Sequence, residues 1–302
     1  MEEKEIIIGS RGSDLALWQA HYLQDRLKEI GYNSVIKIIK TQGDKIQHLT
    51  FDKLEGKGFF TKEIEDQLLA KEIDVAVHSM KDLPTTNPPG LQISGTSYRE
   101  DPTDTLLLLK ETVDPNEVLK LKKGTIVGTS SARRKVQIKA LNPNIEIKDI
   151  RGNVPTRINK LREGQFGAIL LATAGIKRLK LDLSDLEVIQ LHPREFVPAP
   201  AQGVLAYQTR NDDDRMKKII SKISDMDVAR ITNVERKVLN LFDGGCQLPL
   251  GVYCEKDQLG NYHTWAAMAK DVNSPLIKTR ISHSTAAELA QAVFEDLTNK
   301  LT

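Results

Sequence analysis

The sequence predicts an α/β protein in which two α/β units border a cleft and a small α+β domain follows them. Three observations support this prediction. Short β-branched runs alternate with amphipathic helical segments over the first hundred residues, the same alternation restarts after about residue 104, and the order of elements changes again after residue 222. Strands that alternate with helices form mostly parallel sheets that helices cover on both faces.

The first unit begins with "EKEIIIG", which predicts a buried strand that ends in glycine. "SDLALWQAHYLQDRLKEIG" places apolar residues at helical spacing and predicts a helix that Gly31 closes. "SVIKIIK" and "IDVAVHS" predict two further strands, and "TKEIEDQLLAKE" predicts a helix that begins after Thr61. Residues 42–60 carry few structural signals, and loops of that length in compact domains are often lids or disordered.

The second unit repeats this alternation without repeating the sequence. "TDTLLLLK", "TIVGT", "NIEIKDI", "FGAILLAT" and "LEVIQLH" predict strands, and "SSARRKVQIKAL", "NVPTRINKLREG" and "AGIKRL" predict helices. The proline-rich "HPREFVPAPAQG" predicts a crossing between units, and "VLAYQTR" predicts one more strand that returns to the first sheet. Two α/β units joined by two crossings would form a hinged cleft that closes around ligands.

The remaining chain predicts a small α+β domain. "DMDVARITNVERKVLNLF" is an amphipathic helix, "LGVYCEKD", "NYHTWAAMA" and "PLIKTRISHS" predict strands, and "TAAELAQAVFEDLTNKL" predicts a final helix. We therefore expect domain 1 at residues 1–103 with 200–222, domain 2 at 104–199 and domain 3 at 223–302.

The composition limits the classes of function. Formal net charge is +2, which disfavours nucleic acid as a partner, and arginines are spread over separate turns. No apolar run approaches the ~20 residues that cross a membrane, and no signal-peptide pattern opens the chain. Two cysteines make no disulfide framework, so we expect a cytoplasmic protein. Cys246, Cys254 and His263 lack the spacing of a zinc site, and we expect no metal.

Two strand-to-helix turns carry basic and hydroxyl residues that suit an anion. In "GSRGSDLALWQ" the turn places backbone N–H groups beside Arg11 and Ser13, which fits a carboxylate or phosphate and equally fits an ordinary turn. In "VGTSSARRK" Arg133 and Arg134 lie in the first helical turn, where positive charge opposes the helix dipole. A bound carboxylate would relieve that conflict, so this turn favours anion binding over a solvated pair.

Two more segments extend the pattern. "IRGNVPTR" sets Arg151 at a strand end and Arg157 one turn into a helix, with Gly152 allowing close approach. It lacks the glycine spacing of a Walker loop, and several separate arginine turns suit a ligand with several carboxylates better than one triphosphate. In "EGKGFFTKEIE" glycines flank Lys57, which we interpret as a mobile anion contact.

An acidic residue and a cysteine complete the candidates. In "AVHSMKDLPTT" Asp82 follows a hydrophobic strand beside Lys81, and Pro84 should hold Leu83 extended. A strand-end aspartate could stabilise a cation or shuttle a proton, although from this segment alone a loop salt bridge is the simpler interpretation. In "FDGGCQLPLG" the thiol of Cys246 is either an unused surface group or a point of covalent attachment.

These segments occur in the same order in the porphobilinogen deaminase family, which the chain resembles over nearly its whole length. "HSMKDLPT" and "GGCQLPLG" are the most specific matches. The resemblance implies an enzyme of tetrapyrrole biosynthesis that joins four porphobilinogen molecules head to tail into hydroxymethylbilane and releases ammonia. It also implies a monomer of three domains, of which the first two resemble type II periplasmic binding proteins.

The resemblance further implies a dipyrromethane cofactor, held by a thioether to the cysteine that matches Cys246, and a catalytic aspartate that matches Asp82. A carboxylate near the pyrrole N–H groups would stabilise the azafulvenium cation left when ammonia departs. The family's contacts to acetate and propionate groups match the following residues: Arg11, Ser13, Lys57, Lys81, Thr129, Ser131, Arg133, Arg134, Arg151, Asn153, Arg157 and Arg178.

The chain departs from the family's usual pattern at three positions. The family commonly has glycine where this chain has Ala201, and an acidic residue where it has Gln208. Asp14 replaces a non-acidic residue beside Ser13 and is expected to weaken the anion contact there. The alternative to the enzyme is a non-catalytic binding module for a small polycarboxylate or oxyanion, which would give Cys246 and the third domain no role.

Overall fold

The computed structural model describes residues 5–41, 61–245 and 247–301, and all structural statements below refer to these ranges. Their helices and strands follow one another as the sequence predicts, with two additions. The strands are β1 (Ile6–Ser10), β2 (Ser34–Ile38), β3 (Val75–Ser79), β4 (Leu91–Thr96), β5 (Asp104–Leu109), β6 (Ile126–Gly128), β7 (Glu146–Lys148), β8 (Ala168–Ala172), β9 (Leu186–Leu191), β10 (Leu205–Arg210), β11 (Leu250–Lys256), β12 (Tyr262–Met268) and β13 (Ile277–His283). The α-helices are α1 (Asp14–Glu29), α2 (Lys62–Leu69), α3 (Ala132–Leu141), α4 (Val154–Arg162), α5 (Thr173–Leu179), α6 (Asp214–Ser221), α7 (Met226–Leu241) and α8 (Leu289–Leu301).

The first sheet has five strands in the order β2-β1-β3-β10-β4. β1 pairs in parallel with β2 and β3, whereas β10 runs antiparallel to both β3 and β4. Four strands therefore share one direction and β10 alone is reversed. The prediction that "VLAYQTR" returns to the first sheet is confirmed, because this segment is β10.

Helices cover both faces of the first sheet. Leu23 and Leu27 of α1 pack with Val77 and Tyr207 on one face, where the core side chains are almost fully excluded from solvent. α2 packs on the other face against β3 and β10. The predicted end of α1 is confirmed, since Gly31 follows the last helical turn with φ 87°, a conformation that glycine adopts without strain.

The second sheet has the same arrangement of strand directions, in the order β7-β6-β8-β5-β9. β6 pairs in parallel with β7 and β8, and β5 runs antiparallel to β8 and β9. The leucine run of β5 is buried on both faces: Leu106 and Leu108 enter one core, and Leu107 enters the other. A continuous apolar run is typical of a strand covered on both sides.

The third sheet joins β11, β12 and β13 in antiparallel order. Its inner face packs against α7 and α8 through residues such as Val238, Val252, Val293 and Leu297. The sequence predicts α8 from Thr285 onward, but the helix begins at Leu289. Glu288 has φ 60°, outside the right-handed helical region, and this residue separates the preceding turn from the helix.

Two compact units are evident from contact density. One comprises Met1–Glu100 with Val204–Arg230, and the other comprises Asp101–Gly203 with Ile231–Thr302. The second unit contains both the second five-stranded sheet and the three-stranded sheet. The α/β fold class is confirmed by the two five-stranded sheets and the small third sheet. The three domain boundaries and the cleft stay predictions.

The sequence did not predict two elements. β4 contains Gly95 and lacks a sustained apolar pattern, and a Cβ at this glycine would lie 1.9 Å from Ser224 Oγ. α6 has only eight residues, and its Asp213 cap accepts a hydrogen bond from the Met216 N–H. Both elements contact the reversed strand β10: β4 pairs with it in the sheet, and α6 packs against it.

Candidate functional site

The first group of predicted site residues lies at the carboxyl edge of the first sheet. β1 and β3 are parallel neighbours, so their carboxyl ends meet at one edge. Arg11 and Ser13 follow β1, and Lys81 and Asp82 follow β3. The fold therefore brings two basic residues, a hydroxyl and a carboxylate to the same edge.

Asp82 ends a 3-10 turn (Met80–Asp82) that is anchored on both sides. The Met80 N–H donates to the Val204 carbonyl at 2.9 Å, and the side chains of Met80 and Leu83 are buried. Asp82 itself is exposed. Leu83 has φ −81° and ψ 140°, which confirms that the residue before Pro84 is extended. The carboxylate thus sits exposed on a turn whose backbone is fixed.

Ser13 is the N-cap of α1, and its carbonyl accepts from the Leu17 N–H at 2.9 Å. Its side chain makes no capping hydrogen bond. Asp14 is the first helical residue, and its negative charge already complements the positive end of the helix dipole. A bound anion would share this helix end with a carboxylate, as the sequence predicts.

His78, which sequence reasoning passed over inside "HSMKDLPT", lies four residues before Asp82 on β3. Burial lowers its pKa to about 4, the Gln208 side chain partly opposes this shift, and the positive charge of Arg11 adds to it. The Gln208 Nε2 donates in turn to Glu65 Oε1 at 3.2 Å. His78 is therefore neutral at physiological pH, and Gln208 lies in a buried polar cluster.

The second group of predicted residues lies at the carboxyl edge of the second sheet. β6 is parallel to both β7 and β8, so the turns that follow these three strands share an edge. The turns after β6 and β7 are joined directly: Ser130 Oγ donates to the Ile150 carbonyl at 2.9 Å and accepts from the Ile150 N–H at 3.1 Å. The predicted N-cap of α3 is confirmed at Ser131, whose Oγ accepts from the Arg134 N–H, and Thr129 Oγ1 accepts from the Ser131 N–H at 3.3 Å.

Arg133 and Arg134 both bind the buried carboxylate of Asp104, which sequence reasoning missed. Arg133 Nη1 donates to Asp104 Oδ2 at 2.6 Å, and Arg134 Nη2 and Nε donate to Asp104 Oδ1 at 2.7 and 3.1 Å. Asp104 is fully buried. Burial alone would raise the pKa of Asp104, but the two guanidinium groups lower it far more, and the pKa lies well below its ordinary value.

The two arginines differ in what they leave for a ligand. Arg134 uses all three of its guanidinium nitrogens, because Nη1 donates to the Leu170 carbonyl at 3.0 Å. Arg133 uses Nη1 alone, for Asp104 and for the Val197 carbonyl at 3.0 Å. Among the described residues nothing accepts from Nε or Nη2 of Arg133. Arg133 can therefore add a ligand contact without losing Asp104, whereas Arg134 would act on a ligand through its charge.

The turn after β7 is built around Gly152 and Asn153. Asn153 is the N-cap of α4, and its Oδ1 accepts from the Thr156 N–H at 2.9 Å and from Thr156 Oγ1 at 2.6 Å. Gly152 has φ 115°, and a Cβ there would lie 2.6 Å from Thr156 Cγ2, so the turn requires glycine. Arg157 Nε donates back to the Gly152 carbonyl at 2.7 Å. Arg151 precedes this turn and is half-buried.

Arg178 belongs to the last turn of α5 and is buried, where its Nη2 donates to the Gly203 carbonyl at 2.7 Å. Gln202 Nε2 donates to the Pro102 carbonyl at 2.8 Å and to Asp104 Oδ1 at 3.1 Å. The proline-rich crossing is therefore tied to the same buried carboxylate. Ala201 has φ 61° within this crossing, which explains why glycine suits the position.

Two predicted residues, Lys57 and Cys246, lie outside the described residues. The residues flanking Cys246 are described: the Gly244 N–H donates to the Leu239 carbonyl at 3.1 Å, and the Leu248 N–H donates to the Gly245 carbonyl at 3.1 Å. A Cβ added at Gly245 would meet no described atom within 4 Å. The residue before Cys246 thus borders open space within the described chain.

Neither a metal cluster nor a membrane span is found in the described ranges. No three His, Cys, Asp or Glu side chains there come together in a way that could hold a metal ion. None of the helices in those ranges is both long enough and apolar enough to cross a bilayer.

Basic residues and helix N-caps thus lie at the carboxyl edges of two α/β sheets. A family model described as "Porphobilinogen deaminase, dipyromethane cofactor binding domain" matches residues 6–218. Porphobilinogen deaminase of Oceanobacillus iheyensis is 46% identical over 257 residues, covering 84% of this chain and 81% of that protein. Porphobilinogen deaminase of Nitratiruptor sp. is 38% identical over 298 residues, covering 97% and 94%. The chain belongs to the porphobilinogen deaminase family.

Solved structures give more distant similarities. An ancestral cationic amino acid solute binding protein has a TM-score of 0.42 and 14% identity, covering 72% of this chain and 87% of that one. A putative periplasmic sulfonate-binding protein from Methylobacillus flagellatus has a TM-score of 0.44 and 11% identity, covering 78% and 68%. The family assignment rests on the sequence relatives, and it confirms the predicted enzyme of tetrapyrrole biosynthesis that uses a dipyrromethane cofactor.

Asp104→Asn is expected to destabilise the protein by about 3 to 5 kcal/mol, because two buried guanidinium groups lose their counter-charge. The free energy of urea unfolding, followed by far-UV circular dichroism, measures the loss. Asp185→Asn is the matched control: Asp185 also binds an arginine in a bidentate pair, with Arg162 nitrogens at 2.8 and 2.7 Å, but its side chain is 49% exposed. Asp185→Asn should lower the free energy of unfolding by less than about 1 kcal/mol, because its ion pair is exposed to solvent. Equal losses of unfolding free energy in the two variants would contradict the role of Asp104 as the buried counter-ion of Arg133 and Arg134.

Lowering the pH from 7 to 5 is expected to destabilise the first unit by roughly 2 kcal/mol through His78. The unfolded chain protonates His78 near pH 6.5, whereas the folded chain holds its pKa near 4. The unfolded state therefore binds more protons in this window, and stability falls as the pH drops from about 6.5 to about 4. Urea unfolding of a Trp265→Phe background isolates the fluorescence of Trp18, which packs against the first core.

In that background His78→Gln should remove this part of the pH dependence, since glutamine does not titrate. His21→Gln, at an exposed position of α1, should leave it unchanged. The same loss of stability between pH 7 and pH 5 in wild type and His78→Gln would refute the role of His78.

Proposed function

We propose that this chain joins porphobilinogen units head to tail into hydroxymethylbilane on a dipyrromethane primer attached to Cys246, with Asp82 as the catalytic carboxylate. The observation that carries the proposal is the edge of the first sheet, where Asp82 is exposed on an anchored turn beside Lys81, with Arg11 and Ser13 in the turn that follows the neighbouring strand. An exposed carboxylate among cations suits a reaction that creates positive charge on a ligand bearing carboxylates.

The cations of the two edges suit the ligand's acidic groups. Each porphobilinogen carries two carboxylates, so a primer of two pyrroles already brings four. Arg11, Lys57 and Lys81 in the first half of the chain and the residues at the second edge supply positive charge on separate turns. Arg133 is the best placed of these, because its Nε and Nη2 have no acceptor among the described residues, and arginine forks bind carboxylates in a bidentate manner.

The N-cap residues of α3 and α4 fix the turns near which the remaining arginines lie. Thr129, Ser131 and Asn153 hold the first turns of α3 and α4 in place through backbone hydrogen bonds. Arg151 and Arg157 flank the capped turn at Asn153, whereas Arg178 lies in the last turn of α5. Preorganised cations lower the cost of ordering the site when a ligand binds.

Asp82 would act where charge develops. When the C–N bond of the aminomethyl group breaks, ammonia leaves with the electron pair and the substrate becomes a cation. A new C–C bond then forms to the free α-carbon of the next pyrrole, which loses its proton. The carboxylate of Asp82 stabilises the cation and accepts a proton from the pyrrole side, and both effects lower the barrier.

The dipyrromethane, when bound, supplies the free pyrrole α-carbon to which the first substrate is joined. The residues present fit this group: the donor set is cationic, matching its carboxylates, and Gly245 borders open space beside the proposed attachment point. Cys246 would tether the primer by a thioether and take no part in each turnover. Cys254 is buried in β11 and is expected to remain a core residue.

We further propose that the enzyme is a cytoplasmic monomer. Two cysteines in 302 residues, one of them buried in β11, suit a reducing compartment. Size-exclusion chromatography with light scattering would measure the oligomeric state directly.

Protein purified from cells that make porphobilinogen is expected to carry an adduct with the mass of two pyrrole units on Cys246. Intact-mass spectrometry and peptide mapping measure the adduct. Cys246→Ala should lack it, and Cys254→Ala should retain it, because the second thiol is buried. An unmodified wild-type chain, or an adduct on Cys246→Ala, would overturn the proposed attachment.

Asp82→Asn is expected to keep the fold and lower turnover by about a hundredfold or more, because the neutral amide neither stabilises the cation nor accepts the proton. Product formation from porphobilinogen measures the loss, and circular dichroism verifies folding. Asp25→Asn, an exposed aspartate of α1, is the control and should keep wild-type turnover. Near-normal activity of Asp82→Asn would remove Asp82 from the mechanism.

A further inference from the structure

The outer face of the three-stranded sheet is partly covered by residues 193–198. The Val252 N–H donates to the Pro198 carbonyl at 3.0 Å. A Cβ added at Gly251 would lie 2.4 Å from the Val197 carbonyl oxygen, so glycine permits this close approach. The segment thus rests on β11 at backbone distance and leaves the neighbouring part of the face uncovered.

A concave pocket of about 370 Å³ lies beside this segment, and its lining is strongly basic. Four cations contribute to it, together with one indole ring and one carboxylate: Arg194, Lys278, Arg280, Lys300, Trp265 and Asp296. The volume is within the range of small-molecule sites. Since Asp296 and Lys300 belong to α8, which packs on the inner face, the pocket extends from the outer face around the edge strand β13. We call it the outer-face pocket.

Two of the four cations are already neutralised. Lys300 Nζ lies 2.7 Å from Asp296 Oδ2, and Arg194 Nη2 lies 2.5 Å from Glu255 Oε1. Lys278 donates to a neutral acceptor, the Glu195 carbonyl, at 2.8 Å. Among residues 5–41, 61–245 and 247–301, Arg280 has no carboxylate partner. The pocket therefore holds two positive charges that no described carboxylate balances, those of Lys278 and Arg280.

These two cations are arranged as a pair. Lys278 and Arg280 alternate on β13, so their side chains leave the same face of the sheet about 7 Å apart at the backbone. Both are exposed. Such a spacing suits a ligand with two separate anionic groups better than a single small ion.

The indole ring of Trp265 lines the pocket together with Lys278 and Arg280. Trp265 lies directly opposite Arg280 in the β12–β13 register. The guanidinium carbons of Arg194 and Arg280 lie 4.8 and 5.2 Å from the centre of the indole ring. Cation–π contacts of this length hold both guanidinium groups close to a flat apolar surface. A planar ring with acidic substituents could contact the indole and the cations together.

We propose that the outer-face pocket is an accessory binding site for a small aromatic ligand with two anionic groups. The shared chemistry is an aromatic ring that carries carboxylate or phosphate groups, and a pyrrole dicarboxylate or a nucleotide would each supply it. The site uses none of the residues assigned to catalysis or to cofactor attachment. Its existence is therefore independent of the roles proposed for Asp82 and Cys246.

The test is a fluorescence titration of the full-length holoprotein with three probes: isophthalate as an aromatic dicarboxylate, adenosine 3′,5′-bisphosphate as an aromatic ligand with two phosphates, and succinate as a dicarboxylate without a ring. Parallel titration of Trp265→Phe separates the response of Trp265 from that of Trp18, since these are the two tryptophans of the chain. We expect saturable quenching by isophthalate or the bisphosphate with a Kd of about 1 mM or tighter, and no saturable change in Trp265→Phe. The tighter of the two probes identifies carboxylate or phosphate as the preferred group.

The double variant Lys278→Gln with Arg280→Gln should weaken binding at least about tenfold, because it removes both unbalanced charges. The double variant Lys122→Gln with Lys123→Gln changes the net charge equally at exposed positions outside the pocket, and it should bind as wild type does. The proposal is overturned if neither isophthalate nor adenosine 3′,5′-bisphosphate gives saturable quenching. It is equally overturned if succinate binds as tightly as isophthalate, or if the two double variants behave alike.

Discussion

One buried carboxylate organises the second unit. Asp104 binds two guanidinium groups and the Gln202 amide, so it fixes the start of β5, the first turn of α3 and the proline-rich crossing at a single point. Two positive charges face one negative charge, and the excess positive charge lies in a region that excludes solvent. Burial lowers the pKa of Arg133, and Asp104 restores only part of that loss. A ligand carboxylate would complete the charge balance that the protein leaves open.

The charges at the first sheet are arranged differently. Its candidate carboxylate is exposed and is held by a turn that buried Met80 and Leu83 anchor. His78 of β3 is neutral, so no extra positive charge builds up beside Arg11.

The strand ends could be predicted from the sequence, but the partners of their side chains could not. Glycines, N-caps and apolar periodicity are local, so the turns at Ser13, Ser131 and Asn153 could be predicted from a few neighbouring residues. Asp104 lies 29 residues before Arg133, and nothing local marks an aspartate at the start of a leucine run as their counter-ion. β4 was missed for a similar reason, because its partner strand β10 is distant in the chain. α6 follows β10 directly and was missed because it has only eight residues. The residue roles at Cys246 and Lys57 rest on the family resemblance alone.

Val197 connects two surfaces of the second unit. Its backbone is held by Gln137 through both N–H and carbonyl, at 2.6 and 2.8 Å, and its carbonyl also accepts from Arg133. Val197 also lines the outer-face pocket. Its carbonyl oxygen is the atom whose close approach Gly251 of β11 permits, and the same oxygen accepts from Arg133. The C-terminal sheet therefore helps to set the position of Arg133 through a single peptide group.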